Sequence, residues 1–213
     1  PYQKSDMSFS VKCQKTGLEY NGSNLNKLFS QRLNLFKPKF YKFLFAIMDF
    51  NKKAKNFVEQ QNSEITFKQF IEREKIDVTV VEYYLRPMVC AVWSADASKV
   101  DDFPALFLMR FWYHHGFLEV NDRPQWFVVK GGSKKYVEKI VEKFSGEIFL
   151  SRPVRKIERN EDHVVLHFPD GQRKNYDKVI VATHSDQALA LLDQPLGQEK
   201  SLLESIPYQK NSV

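Results

Sequence analysis

Cysteine and long apolar runs are both scarce in this sequence. Cys13 and Cys90 are too few and too far apart for a zinc site or a redox pair, so they read as free thiols of a reducing compartment. No run reaches the ~18 apolar residues of a membrane-spanning helix. No Ser/His/Asp or Cys/His set stands in a recognisable local context, and the adjacent acids Asp101 and Asp102 read as helix caps. His114 and His115 make a poor metal site, because neighbouring helical positions point roughly 100° apart and no nearby carboxylate or thiol completes a ligand set. Imidazoles at a helix end more often meet its free carbonyls. The side chains by themselves announce no reaction.

What the chain does have is aromatic and basic. With 213 residues, 43% of them hydrophobic, it can bury a sizeable core in one or two domains. Eighteen Phe and nine Tyr exceed the needs of a small core, which fits a protein that lines an apolar cavity and equally a piece that has lost its neighbours. The net charge of +6 is concentrated between residues 24 and 60. There Lys27, Arg32, Lys37, Lys39, Lys42, Lys52, Lys53 and Lys55 face only Asp49 and Glu59. Nucleic-acid readers interleave basic residues with exposed aromatics or carry a recognition motif. Here the aromatics fall on the opposite helix face, so no nucleic-acid partner is expected.

Along the chain, residues 7–20 read as a hairpin: Phe9, Val11 and Cys13 alternate with polar residues before Gly17. Asn24 caps a short helix to Ser30. From Phe36 a long amphipathic helix follows, with Phe36, Phe40, Phe43, Leu44, Ile47, Met48, Ala54, Phe57 and Val58 on one side and lysines on the other. A basic face beside an aromatic face is also what interfacial helices show, so residues 36–58 are a possible peripheral membrane contact. Ser63 or Thr66 starts a helix to Arg73, and Asp77 caps another over 78–85. Pro87 should split it from the apolar segment 88–93, with two helices meeting near Arg86. The most apolar helix starts at Asp101 or Asp102, carries Pro104 in its first turn and stops at Gly116. It should be buried on most sides, and part of it could wall a hydrophobic cavity.

The stretch 126–186 makes the most consecutive statement. A strand over 125–130 runs into Gly131-Gly132. Ser133 can cap a helix striped by Tyr136, Val137, Ile140, Val141 and Phe144, and Gly146 stops it. Residues 147–150 read as a short strand, and 154–159 and 163–168 as two more strands, with a turn at Pro169-Asp170-Gly171. The run Val179-Ile180-Val181-Ala182 reads as a fully buried strand that enters a helix at Thr183, an arrangement where nucleotide cofactors commonly sit. A loop after Asp193, a short helix over 198–205 and a strand from Ile206 complete the chain.

This order resembles the middle of flavin-containing amine oxidases and phytoene-desaturase-like oxidoreductases, and is closer still to a bacterial branch of predicted NAD/FAD-binding oxidoreductases. Residues 87–96 (PMVCAVWSAD), 102–105 (DFPA), 121–126 (NDRPQW), 131–137 (GGSKKYV) and 182–191 (ATHSDQALAL) carry the resemblance. It implies an α+β fold: a mostly helical substrate domain at 1–130 with a few mixed strands, a partial FAD domain with short parallel strands and a three-stranded meander at 131–184, and a return to the substrate domain at 185–213. It implies FAD as cofactor. Val154, after Pro153, falls at the adenine ring, Ala182 and Thr183 fall beside the cofactor, and Gly131 and Gly132 mark the passage between domains. It names no catalytic residue.

The family's Gly-x-Gly-x-x-Gly turn is not in the sequence. The expectation is therefore an inactive, colourless internal fragment of an FAD-dependent oxidoreductase, cytoplasmic by default. The flavin of the whole enzyme would take a hydride from a small amine or an apolar, lipid-like substrate. The alternative is a catalytically silent lipid- or protein-binding module on the same scaffold.

Overall fold

The structure is a computed structural model that describes residues 1–6, 8–60, 64–120 and 124–208. It divides into two compact units, residues 1–142 and 143–213.

The first unit is built around a long helix. Strand β1 (Tyr2–Ser5) opens the chain, and β2 (Ser10–Lys12) pairs antiparallel with β3 (Glu19–Asn21) as the expected hairpin, Val11 opposite Tyr20. Asn24 caps α1 (Leu25–Leu28) by accepting from the Lys27 N–H, and a 3-10 turn over Arg32–Phe36 leads into α2 (Pro38–Gln60). Phe40, Phe43, Phe50, Ala54 and Phe57 bury one face of α2. Phe36 and Met48, expected on that face, are exposed instead, because Phe36 lies in the preceding 3-10 turn and Met48 sits between the buried rows.

Thr66 caps α3 (Phe67–Arg73) in a capping box with Gln69; Ser63 lies outside the described residues. Asp77 caps α4 (Val78–Val80), which continues through a π-helical turn (Val81–Leu85) into α5 (Arg86–Trp93). Two helical elements do meet at Arg86, where α5 starts with Pro87 in its first turn, but the backbone runs on helically between them. The wider turn, in which the Arg86 N–H reaches the Val81 carbonyl, makes room for the Pro87 ring. Proline leaves the carbonyl four residues back without its usual donor, and the Tyr20 hydroxyl donates to it, at 2.7 Å from Tyr83 O.

Residues Ala97–Asp102 form a 3-10 helix, and α6 (Ala105–His114) starts only after Pro104, its N-cap. The acid pair is thus not the cap of α6: Asp101 forms an ion pair with Arg86 at 2.8 Å. Helix α6 is half-buried rather than buried on most sides. Ala105, Leu108, Met109 and Trp112 enter the core, where Trp112 meets Phe50 and Phe67 edge-on, while Phe107 and Tyr113 face solvent. Strand β4 (Trp126–Val129) pairs antiparallel with β1, whose existence the sequence reading missed. Helix α7 (Lys134–Lys143) follows the glycine pair and buries no residue.

The second unit contains the meander. Strands β5 (Lys156–Arg159), β6 (Val164–His167) and β7 (Arg173–Tyr176) form an antiparallel sheet in the order 5-6-7. Gly171, at φ +82°, makes the tight turn before β7. Helix α8 (Ser185–Leu191) is tied to β5 by the Asp193 N–H, which donates to Ile157 O at 3.1 Å, and α9 (Gly197–Glu204) by an Arg159–Glu199 ion pair. The Arg152 guanidinium covers the Phe168 ring at 4.4 Å.

Two expected strands are not formed, and the one expected from Ile206 lies mostly outside the described residues. Residues 147–150 and 179–182 pair with no strand among the described residues, and Ile180, expected to be buried, is 94% exposed. Their composition favours extended backbone, but a strand exists only when a neighbour takes up its N–H and C=O groups. The fold class is α+β, with small antiparallel sheets.

Candidate functional site

The residues named from the sequence fall in both units. In the first, Gly131 and Gly132 have φ of +86° and +83°, values that side chains rarely tolerate, and so turn the chain from β4 into α7. A Cβ on Gly132 would meet nothing within 4 Å, so its backbone is open to close approach by a ligand, whereas one on Gly131 would meet the Lys135 side chain. In the second unit, Val154 is half-buried in the extended segment before β5. Ala182 and Thr183 are exposed just ahead of α8, with the Thr183 hydroxyl donating to His184 O at 3.2 Å.

Within the second unit, the uncovered apolar edge at Ile180, Val181 and Ala182 could take a flat ring system. No glycine-rich turn is present to cradle the pyrophosphate of a flavin nucleotide. Among the described residues no His, Cys, Asp or Glu cluster could hold a metal ion.

The first unit also contains two concavities that meet at His115. One is a pocket of about 350 Å³, where Phe9, Tyr20, Tyr84, Phe117 and Trp126 provide ring surface and Asp6 and Lys27 the charges. The other is a groove of about 780 Å³ along the outer face of α6, formed by Leu106, Phe107, Arg110 and Phe111 against Ile65 and Pro104. Its end is fixed by backbone bonds from Phe67 N to Phe103 O and from Ala105 N to Ile65 O.

His115 lies between the Phe111 and Trp126 rings, stacked on both. Its Nδ1 is 2.8 Å from the Phe111 carbonyl, which can only accept, so Nδ1 carries the proton and Nε2 of the neutral ring is left as an acceptor. The sequence placed His115 at a helix end, where it is found. Its stacking on Trp126 was not legible, because strand pairing of β4 with β1 brings that tryptophan in.

Burial and hydrogen bonding also tune several ionisable groups. Burial, with Tyr84 nearby, pushes the Tyr20 hydroxyl well above the ordinary tyrosine range. Burial raises the Cys90 thiol, while the Thr16 hydroxyl lowers that of Cys13; neither is in a disulfide. Thr79 donates to Asp77 through its hydroxyl and its backbone and holds that carboxyl below the usual range.

No curated protein matches the chain by sequence. Among solved structures it is similar to an engineered triple mutant of putrescine oxidase, redesigned at its cofactor binding, with a TM-score of 0.65 and 12% identity. A double mutant from the same redesign gives 0.58 and 15%. Each match covers 96% of this chain and 47% of the other, so the chain spans about half the length of these structures; at such identity they show a shared fold. The model of the flavin containing amine oxidoreductases matches residues 12–212, nearly the whole chain, and the chain belongs to that family.

Proposed function

We propose that this chain provides the substrate side and part of the cofactor side of an FAD-dependent oxidoreductase acting on a small amine. The observation that carries the reading is the family match over residues 12–212. FAD, when bound, supplies the acceptor for a hydride from the carbon beside the nitrogen.

The chain's own residues bind, orient and handle a proton. The ring faces of Phe9, Tyr84 and Trp126 attract an alkylammonium ion, and Asp6 adds a negative charge. Nε2 of His115, held as an acceptor by the Nδ1 bond to Phe111 O, takes the proton that an ammonium substrate must lose before oxidation. The groove along α6 takes an apolar extension of the substrate. In the second unit, the edge at Ala182-Thr183 offers apolar surface to the flavin nucleotide, and Val154 a contact for its adenine. The pyrophosphate needs residues from outside this sequence.

The test is anaerobic addition of small amines to the complete flavin-loaded protein. Bleaching of the visible flavin bands by an amine, slowed by His115→Gln with the flavin content unchanged, supports the reading. Bleaching by apolar non-amines alone would redirect it to the lipid-like substrate, and no bleaching by either class contradicts it.

A further inference from the structure

Residues 20–48 contain five cations, Lys27, Arg32, Lys37, Lys39 and Lys42, and no Asp or Glu. Farther along α2 the lysines are paired: Lys53 with Asp49 and Lys55 with Glu119, each at 2.6 Å. Among the described residues no carboxylate lies within ion-pair distance of Lys37, Lys39 or Lys42. The acid that Lys42 influences, Asp77, is occupied by Thr79.

The same segment exposes large apolar side chains. Leu33 is 72%, Phe36 82% and Phe45 67% exposed, and Tyr41, Phe45 and Met48 follow at i, i+4 and i+7 along one outer stripe of α2. The Tyr41 hydroxyl donates to Leu35 O at 3.0 Å, joining the 3-10 turn to the helix, and Phe36, Tyr41 and Phe45 border one shallow depression with Lys42. This stripe shares only Met48 with the face that the sequence pattern indicated, whose Phe40, Phe43 and Phe57 belong to the core.

An exposed aromatic patch of this size needs a non-aqueous cover, and one ringed by unpaired lysines without acids needs an anionic one. We propose that Arg32–Phe36 and the first half of α2 seat on an anionic lipid surface. Leu33, Phe36 and Phe45 enter the acyl boundary, and Lys37, Lys39 and Lys42 meet headgroup phosphates. The proposal does not depend on the flavin reading.

The test is co-sedimentation of this chain with phosphatidylcholine vesicles and with vesicles in which one-third of the lipid is phosphatidylglycerol. Binding to the anionic vesicles alone, released by salt, is expected. The triple variant Lys37→Glu, Lys39→Glu, Lys42→Glu should weaken it on the order of a hundredfold. Phe36→Ala with Phe45→Ala should weaken it by about tenfold or more, with an unchanged near-UV circular dichroism spectrum. No sedimentation with anionic vesicles, equal binding by the variants, or self-association through the patch in place of lipid binding would each overturn the proposal.

Discussion

The two units use their apolar residues in opposite ways. In residues 1–142, the rings of Phe50, Phe57, Phe67, Phe70 and Trp112 interlock with Leu85, Leu108 and Met109 at essentially no exposure. Among the described residues of the second unit, only Ile157, Val165 and Phe168 are buried hydrophobics, while Phe149, Leu150, Ile180 and Val181 face outward. The first unit has a continuous buried core despite the exposed side chains along α2 and α7; the second has the apolar composition of an interior with few residues buried. The unit with the larger buried core also contains the ring-lined pocket of about 350 Å³ at His115.

The comparison can be broken most directly at Trp112. Trp112→Ala should cost about 3–5 kcal/mol in urea unfolding, the range for removing a fully buried aromatic. A loss below 1 kcal/mol would mean that the first unit is not held by this core. Next, Tyr20→Phe leaves the Tyr83 carbonyl without its hydroxyl donor and should cost about 1–3 kcal/mol in the same assay. Retention of full stability would show that the turn before Pro87 needs no such donor.

Asp77→Ala removes the cap of α4 and should cost about 1 kcal/mol at neutral pH. The Asp77 carboxyl is lowered in the folded state, so its contribution is complete above the ordinary aspartate value of 3.8 and is lost as pH falls through the lowered folded value. The wild-type and variant stabilities should therefore converge in acid, and a gap that persists there would assign the loss to packing. The smallest effect is expected in the second unit. Ile180→Ser should change stability by no more than about 0.5 kcal/mol in this chain. A loss of several times that would show Ile180 to be covered.

Local signals were legible where local chemistry decides. Asn24, Thr66 and Asp77 cap the helices they were expected to cap, and the turn residues around Gly171 set the meander. What failed needed a partner distant in sequence. Strand β1 is defined by β4, over a hundred residues away, and the run at 179–182 resembles a buried strand because burial depends on neighbours that its own residues do not specify. Pro87 marks the boundary at Arg86 in the sequence, but the π turn and the Tyr20 hydroxyl that accommodate it are tertiary and are not legible there. Of the candidate site, the glycine pair and the apolar face of α6 could be read in sequence, whereas the stacking of His115 on Trp126 required the sheet.

The most direct test of the central claim is the visible absorbance spectrum of the complete protein, purified without added cofactor, followed by acid release of the chromophore. The account predicts flavin bands and released FAD from the complete protein, beside a colourless preparation of residues 1–213 alone. A complete protein that is colourless and cannot be reconstituted with FAD would contradict it.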